Sequence, residues 1–157
     1  MDAQRFREVV GSYPTGVTVV TARNGGGAPF GLTVNSFTSV SLDPPLVLVC
    51  IDRLSSSHDP LIESGTFVVN ILASDQTAVA ARFATDPSGD RFVGLAWEEG
   101  PLGDPVLPDG VAWLACTVQQ VHEAGDHSIL VGQVEEVAVA EREALVFHRG
   151  SYAAVAR

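Results

Sequence analysis

Residues Trp113 to Ala140, WLACTVQQVHEAGDHSILVGQVEEVAVA, decide the fold class. Trp113 to Glu123 and Ile129 to Ala140 are long β-rich stretches, and Ala124-Gly125-Asp126 between them is turn chemistry, so the segment predicts an antiparallel hairpin. Ala144 to His148 adds a further strand. Upstream, the mostly β-branched run Val17 to Ala22, the turn Asn24-Gly25-Gly26-Gly27 and Phe30 to Val34 predict a second hairpin. Phe37 to Leu42 and Thr66 to Leu72 are strands. After the turn Asp43-Pro44-Pro45, the unbroken apolar run Leu46 to Ile51 predicts a strand covered on both faces and central in its sheet. No βαβ alternation is present, and the strands suffice to close an antiparallel barrel. The expected class is mainly β (α+β) with a few short helices.

Asp2 is placed to cap a helix running through Val10, with Phe6, Val9 and Val10 as its apolar face and Gly11 ending it in a left-handed conformation. Ser55-Ser56-Ser57 precede a short helix over Asp59 to Ser64, closed by Gly65 and expected to be capped by a hydroxyl. Ser74-Asp75 opens another helix through about Phe83. Residues 85 to 110, rich in Pro, Gly and Asp, read as a long excursion with short structure inside it. No repeat or linker divides the chain, so residues 1–157 are read as one domain.

The chain carries 9 basic residues, all arginine, against 19 acidic ones, a formal charge of -10. The arginines are spread from Arg5 to Arg157, so the cationic stripe that nucleic acid or an anionic membrane surface requires is missing, and neither partner is expected. Cys50 and Cys116 sit in apolar runs, where thiols behave as small hydrophobes; reduced and buried is the expectation. Charges fill the first eight residues where a secretory signal has its apolar stretch, and no run reaches the ~18 apolar residues of a membrane span. A cytoplasmic protein is expected.

The glycines at 25, 26, 27 and 31 fail the dinucleotide fingerprint, because position six from Gly25 is Phe30 and a strand follows. The four histidines form neither HxH nor HExxH; His122 and His127 flank one turn without a third ligand, and no metal is expected. No G-x-S-x-G elbow exists. Two segments concentrate small polar groups: Thr33 to Ser41, between β stretches, and Ser55 to Ser57, before a helix start. They could together hold a phosphorylated ring, or they could simply line a sheet and cap a helix.

The stretch Gly31-Leu32-Thr33-Val34-Asn35-Ser36-Phe37-Thr38-Ser39-Val40-Ser41-Leu42-Asp43-Pro44-Pro45, followed by Ser64 to Leu72, resembles the flavin reductase-like family of short-chain, FMN-binding split barrels. Pro14-Thr15-Gly16-Val17, Arg82-Phe83-Ala84, Asp90-Arg91-Phe92, Gly125-Asp126-His127 and Phe147 to Tyr152 match that family's landmarks in order. The resemblance implies an antiparallel Greek-key split β-barrel that uses NAD(P)H to reduce FMN or FAD, typically as a homodimer that supplies reduced flavin to a separate monooxygenase. It places Thr33, Asn35, Ser36 and Ser39 along the isoalloxazine edge, with backbone groups near Cys50 and Asp52. It assigns the phosphate to Ser55 and Ser57, a flavin-bordering position to Phe83 and the nicotinamide to His127, and it names no catalytic acid or base. Hydride transfer asks a protein mainly to stack two rings, and donors such as Asn35 and Ser36 would stabilise charge building on the flavin.

Arg82, Arg91 and Arg149 could each screen a cofactor phosphate or sit in a surface ion pair. Two departures from the family pattern stand out: Ser57-His58 replaces an expected threonine with no lysine nearby, and His148 stands where an aromatic is usual. The alternatives are a non-catalytic flavin-binding or electron-transfer module on the same barrel, and an oxidase of the pyridoxamine-phosphate type, against which Gly125-Asp126-His127 argues.

Overall fold

The computed structural model describes residues 1–85 and 90–155. In chain order these form α1 (Ala3–Gly11), β1 (Thr15–Gly16), β2 (Thr18–Arg23), β3 (Pro29–Val34), β4 (Thr38–Leu42), β5 (Pro45–Asp52), α2 (His58–Ser64), β6 (Thr66–Ile71) and α3 (Thr77–Thr85), then β7 (Glu98–Glu99), β8 (Pro105–Val106), β9 (Ala112–Ala124), β10 (His127–Val139), β11 (Leu145–His148) and β12 (Ser151–Ala154). The protein is mainly β and every strand pairing is antiparallel. The decisive hairpin is β9–β10, turning at Gly125, whose φ of 66° suits glycine. Part of the long excursion, residues 86–89, lies outside the described residues.

The main sheet has the order β3-β2-β6-β9-β10-β5-β4. Its edge strands β3 and β4 are consecutive in the chain, joined by residues 35–37 alone. Such a link spans about 15 Å at most, whereas a flat sheet of seven strands would hold its edges about 29 Å apart. The sheet is therefore strongly curled, and the link closes the gap between its edges. Ser36 pins this link: its Oγ donates to the Cys50 carbonyl and accepts from the Cys50 amide, both at 2.9 Å.

Alternation puts one set of side chains inside the curl. Val20, Leu32, Val34, Val47, Val49, Phe67, Val69 and Leu130 form that core, with Leu61 of α2 packed into it. On the other face Val17, Val19, Leu72 and Leu145 pack against Ala80 and Phe83 of α3. Phe83 meets Phe92 edge-on with ring centroids 5.1 Å apart, which holds the excursion against α3. β1, β11 and β12 make a separate small sheet.

Several expectations are corrected. The run Leu46–Ile51 is not covered on both faces: Val47, Val49 and Ile51 are buried while Leu46, Leu48 and Cys50 are half-buried, and β5 lies next to the edge strand. Gly11 belongs to α1, and the helix ends at right-handed Ser12. Asp2 does cap α1 through the amides of Gln4 and Arg5, but Phe6, Val9 and Val10 are exposed and no residue of this helix is buried. Ser57 precedes α2 without a side-chain capping bond, while Gly65 closes that helix at φ 73°. Cys116 is buried, which pushes its thiol up to about 12; Cys50 is half-buried and both are free.

The excursion is fastened to the hairpin β2–β3 by Asp104 and Arg23. Asp104 is buried; its Oδ1 accepts from the Arg23 amide at 3.1 Å and its Oδ2 finds no partner among the described residues. Burial pushes this carboxyl above its usual range, against the opposing pull first of the Thr66 hydroxyl and then of Arg23's amide and charge. The folded state thus holds the proton more tightly than the unfolded chain, so the contribution to stability is present at low pH and is lost as pH rises through the raised value. Asp104→Asn is expected to raise the Tm at pH 7 by about 2 to 4 °C and to flatten the stability profile above about pH 4, as read by thermal melts across pH.

Candidate functional site

A cavity of about 1230 Å³ opens beside the link that closes the curl. One wall is the sheet side, with Asn35, Ser36, Phe37 and Thr38 of the link and its continuation, and Cys50 of β5. The other wall is α1, with Arg7 and Gly11 four residues apart on one helix face, and the tip of β11–β12, with Phe147 and Arg149. α1 is set there by a backbone bond, the Arg149 amide donating to the Gly11 carbonyl at 2.9 Å. The cavity exceeds the roughly 300–1,000 Å³ common for small-molecule sites. Thr15, also in the lining, has a buried Oγ1 with no partner among the described residues.

Of the residues expected at a flavin, Asn35, Ser36 and Cys50 line this cavity, and the others do not. Thr33 donates to the Ala80 carbonyl at 2.7 Å, so its hydroxyl fastens α3 to β3. Ser39 is exposed on β4. Asp52 accepts from the Leu54 amide and Ser55 from the Ser57 amide, both within their own turn. Ser57 and Phe83 are buried. Phe83 lies against Gly31, where an added Cβ would stand 3.2 Å from its ring.

His127 is reached by register. It pairs with Asp52, and Ile129 pairs with Cys50, so His127 shares the Cys50 face of the curl one cross-strand step further on. The turn that carries it is tied to β5 by the Arg53 amide, which donates to the Asp126 carbonyl at 3.0 Å. His127 Nδ1 lies 2.7 Å from Asp126 Oδ1; a carboxylate only accepts, so Nδ1 carries the proton and Nε2 is left for another partner. Asp126 is held below the usual carboxylate range, first by this hydrogen bond, then by the charge of His127, with a contribution from Arg7.

His122 stands opposite Ile129 and bonds Gln120, and no group of three or more metal-ligating side chains occurs among the described residues. One constellation escaped sequence reading. Asp59 Oδ1, His58 Nδ1, His58 Nε2 and Ser128 Oγ form a relay with separations of 2.6 Å and 2.8 Å. His58 and Ser128 are 9% and 4% exposed, so the relay joins α2 to β10 and presents no nucleophile to solvent. No sequence motif could have found it, since its parts are seventy residues apart.

Among the described residues, a curled antiparallel sheet carries a large cavity beside the link that closes it. The chain belongs to the flavin reductase-like family, whose model "Flavin reductase like domain" matches residues 10–156. It is 46% identical to a flavin reductase of Pseudomonas putida over 97% of this chain and 89% of that protein. It is 41% identical to the flavin-dependent monooxygenase reductase subunit HsaB of Rhodococcus jostii (strain RHA1), over 99% of this chain and 79% of that one. The chain spans 48% of the length of a longer relative from Rhizobium meliloti (strain 1021). Among solved structures, the NADH:FAD oxidoreductase SgcE6 of Streptomyces globisporus, in complex with NAD and FAD fragments, superposes with a TM-score of 0.93 at 40% identity, covering 99% of this chain and 93% of that one.

Proposed function

We propose that this chain is an NADH-dependent flavin reductase, passing hydride to FMN or FAD and supplying reduced flavin to a separate flavin-dependent monooxygenase. The observation that carries the reading is family membership over nearly the whole chain, joined to a cavity with Asn35, Ser36 and Cys50 in its wall. The unpartnered Thr15 Oγ1 and the cavity's size fit a polar, ring-shaped ligand. Flavin, when bound, supplies the hydride-accepting ring, and the protein's part is to place and shield it. Asn35 offers amide donors to a ring edge. Ser36, already bonded to Cys50, holds that edge of the wall in place. His127, its Nδ1 committed to Asp126, offers Nε2 to the nicotinamide. The family resemblance adds Thr33 and Ser39 along the isoalloxazine edge, Asp52 beside it, Ser55 and Ser57 at the phosphate and Phe83 at the ring's border, residues that lie outside this cavity's lining.

The single-domain architecture that accompanies this function is a Greek-key split barrel, supported by the three-residue link between the sheet's edges. The working form is a homodimer in the cytoplasm; the pairing is supported by the exposed apolar residues Phe6, Val9, Val10 and Tyr13 on and after α1. Among the described residues no helix is long and apolar enough to cross a membrane.

Stopped-flow bleaching of flavin absorbance on adding NADH tests the reaction; absence of turnover with either nicotinamide across FMN, FAD and riboflavin sinks it. A yellow protein inert to both nicotinamides would instead indicate a flavin-binding module. His127→Ala is expected to raise the KM for NADH by about ten-fold, the loss of one good contact, with little change in flavin affinity. Equal effects on the two would remove His127 from the nicotinamide.

A further inference from the structure

The arginines divide sharply by what they touch. Of the eight within the described residues, five are committed to the protein. Arg23 bonds Gly103, Gly27 and Glu99, Arg53 pairs with Glu123, and Arg142 holds Asp75 at 2.6 Å. Arg82 and Arg91, both candidates for a cofactor phosphate, donate to the carbonyls of Val93 and Gly31. Arg5, Arg7 and Arg149 have no side-chain hydrogen bond or ion pair among the described residues, and Arg7 and Arg149 both line the cavity. In a chain of formal charge -10, two of the three uncommitted arginines line one concavity.

Arg149 sits where an arginine is disfavoured. It has φ 49° and Gly150 has φ 78°, the two central positions of the β11–β12 turn, where Asn or Gly is the comfortable first residue. Its amide is bonded to the Gly11 carbonyl, so its position is locked to the helix that carries Arg7. The one carboxylate in the lining, Glu8, accepts from Gln4 at 3.3 Å and leaves the two guanidinium groups unopposed by direct contact.

We propose that Arg7 and Arg149 form a two-sided clamp on the pyrophosphate bridge of a dinucleotide, NADH or FAD, lying in this cavity; the proposal rests on the reductase reading. A pyrophosphate offers one anionic phosphate to each guanidinium, and bidentate guanidinium–phosphate bonds are strong and directional. The cavity has room for the nucleotide beyond the ring.

Arg7→Gln preserves helix propensity and Arg149→Asn suits the turn, so both variants keep the fold. The KM for NADH is compared with that for N-benzyl-1,4-dihydronicotinamide, which has no phosphate, and the KM for FAD with that for riboflavin. A clamp on NADH raises the first ratio by about ten-fold per arginine and leaves the second alone. A clamp on FAD does the reverse. Both ratios unchanged overturns the proposal. If the wild type turns over neither donor, the reductase reading fails separately, and calorimetric titration with NAD+ and FAD decides the clamp. An affinity about ten-fold weaker in the variants for one of them supports it, and equal affinities, or no binding by the wild type, overturn it.

Discussion

Asn70→Ala is expected to lower the unfolding free energy by about 3 to 5 kcal/mol, read by urea titration with the wild-type m-value retained. Asn70, in β6, is 1% exposed and spends its whole amide on β2 and on the segment that follows β8. Its Nδ2 donates to the Val19 carbonyl and to Thr21 Oγ1, each at 3.0 Å, while its Oδ1 accepts from the Leu107 amide at 2.9 Å. Thr21 in turn donates to the Pro105 carbonyl at 2.5 Å, so the network fastens the end of the excursion across β2 and β6. Truncation removes three buried hydrogen bonds, leaving the Leu107 amide without its side-chain acceptor and the Val19 carbonyl and Thr21 Oγ1 without this donor, and a buried group stripped of its partner costs more than the net value of the bond. Asn70→Asp separates geometry from donor chemistry. A carboxyl at that site can donate to Val19 only when protonated, so this variant should lose more stability at pH 8 than at pH 4.

Gly132→Ala is expected to cost about 2 to 3 kcal/mol through overpacking. An added Cβ would stand 2.5 Å from Phe67 Cζ and 3.0 Å from Cys116 Cβ, inside the curl of the sheet. Phe67 is fully buried and its ring is hemmed in by the core, so it cannot swing aside cheaply. The β10–β9 register also shifts between Val131 and Gly132, at the point where the glycine meets the ring. Phe67→Leu should recover part of the loss in the double variant, giving a favourable coupling in a mutant cycle. No recovery would mean that backbone conformation, and not the ring, requires glycine there.

The hairpin β9–β10 was legible because thirteen-residue strands with a glycine turn leave little else to form. β12 was not, since four residues after a tight turn carry too little pattern. The run Leu46 to Ile51 misled because apolarity reports what a side chain is and not what covers it; its half-buried face is the one on which the cavity opens. α1 shows the same limit, its cap read correctly and its apolar face left exposed. At the site, Asn35 and Ser36 stood out as small polar groups between β stretches, while Cys50, read as a small hydrophobe in an apolar run, came in only through the family resemblance. Arg7 and Tyr13 did not stand out, because their place at that wall depends on a tertiary contact, the backbone bond between Gly11 and Arg149, which no local pattern announces.

The Asp59, His58 and Ser128 relay carries a warning for anyone who infers activity from interatomic spacing. A template search tuned to acyl-transferring enzymes would retrieve this chain on its distances alone, with the acid, the imidazole and the hydroxyl in the right succession. What separates a staple from a warhead here is access: a hydroxyl 4% exposed on an interior strand meets no ester.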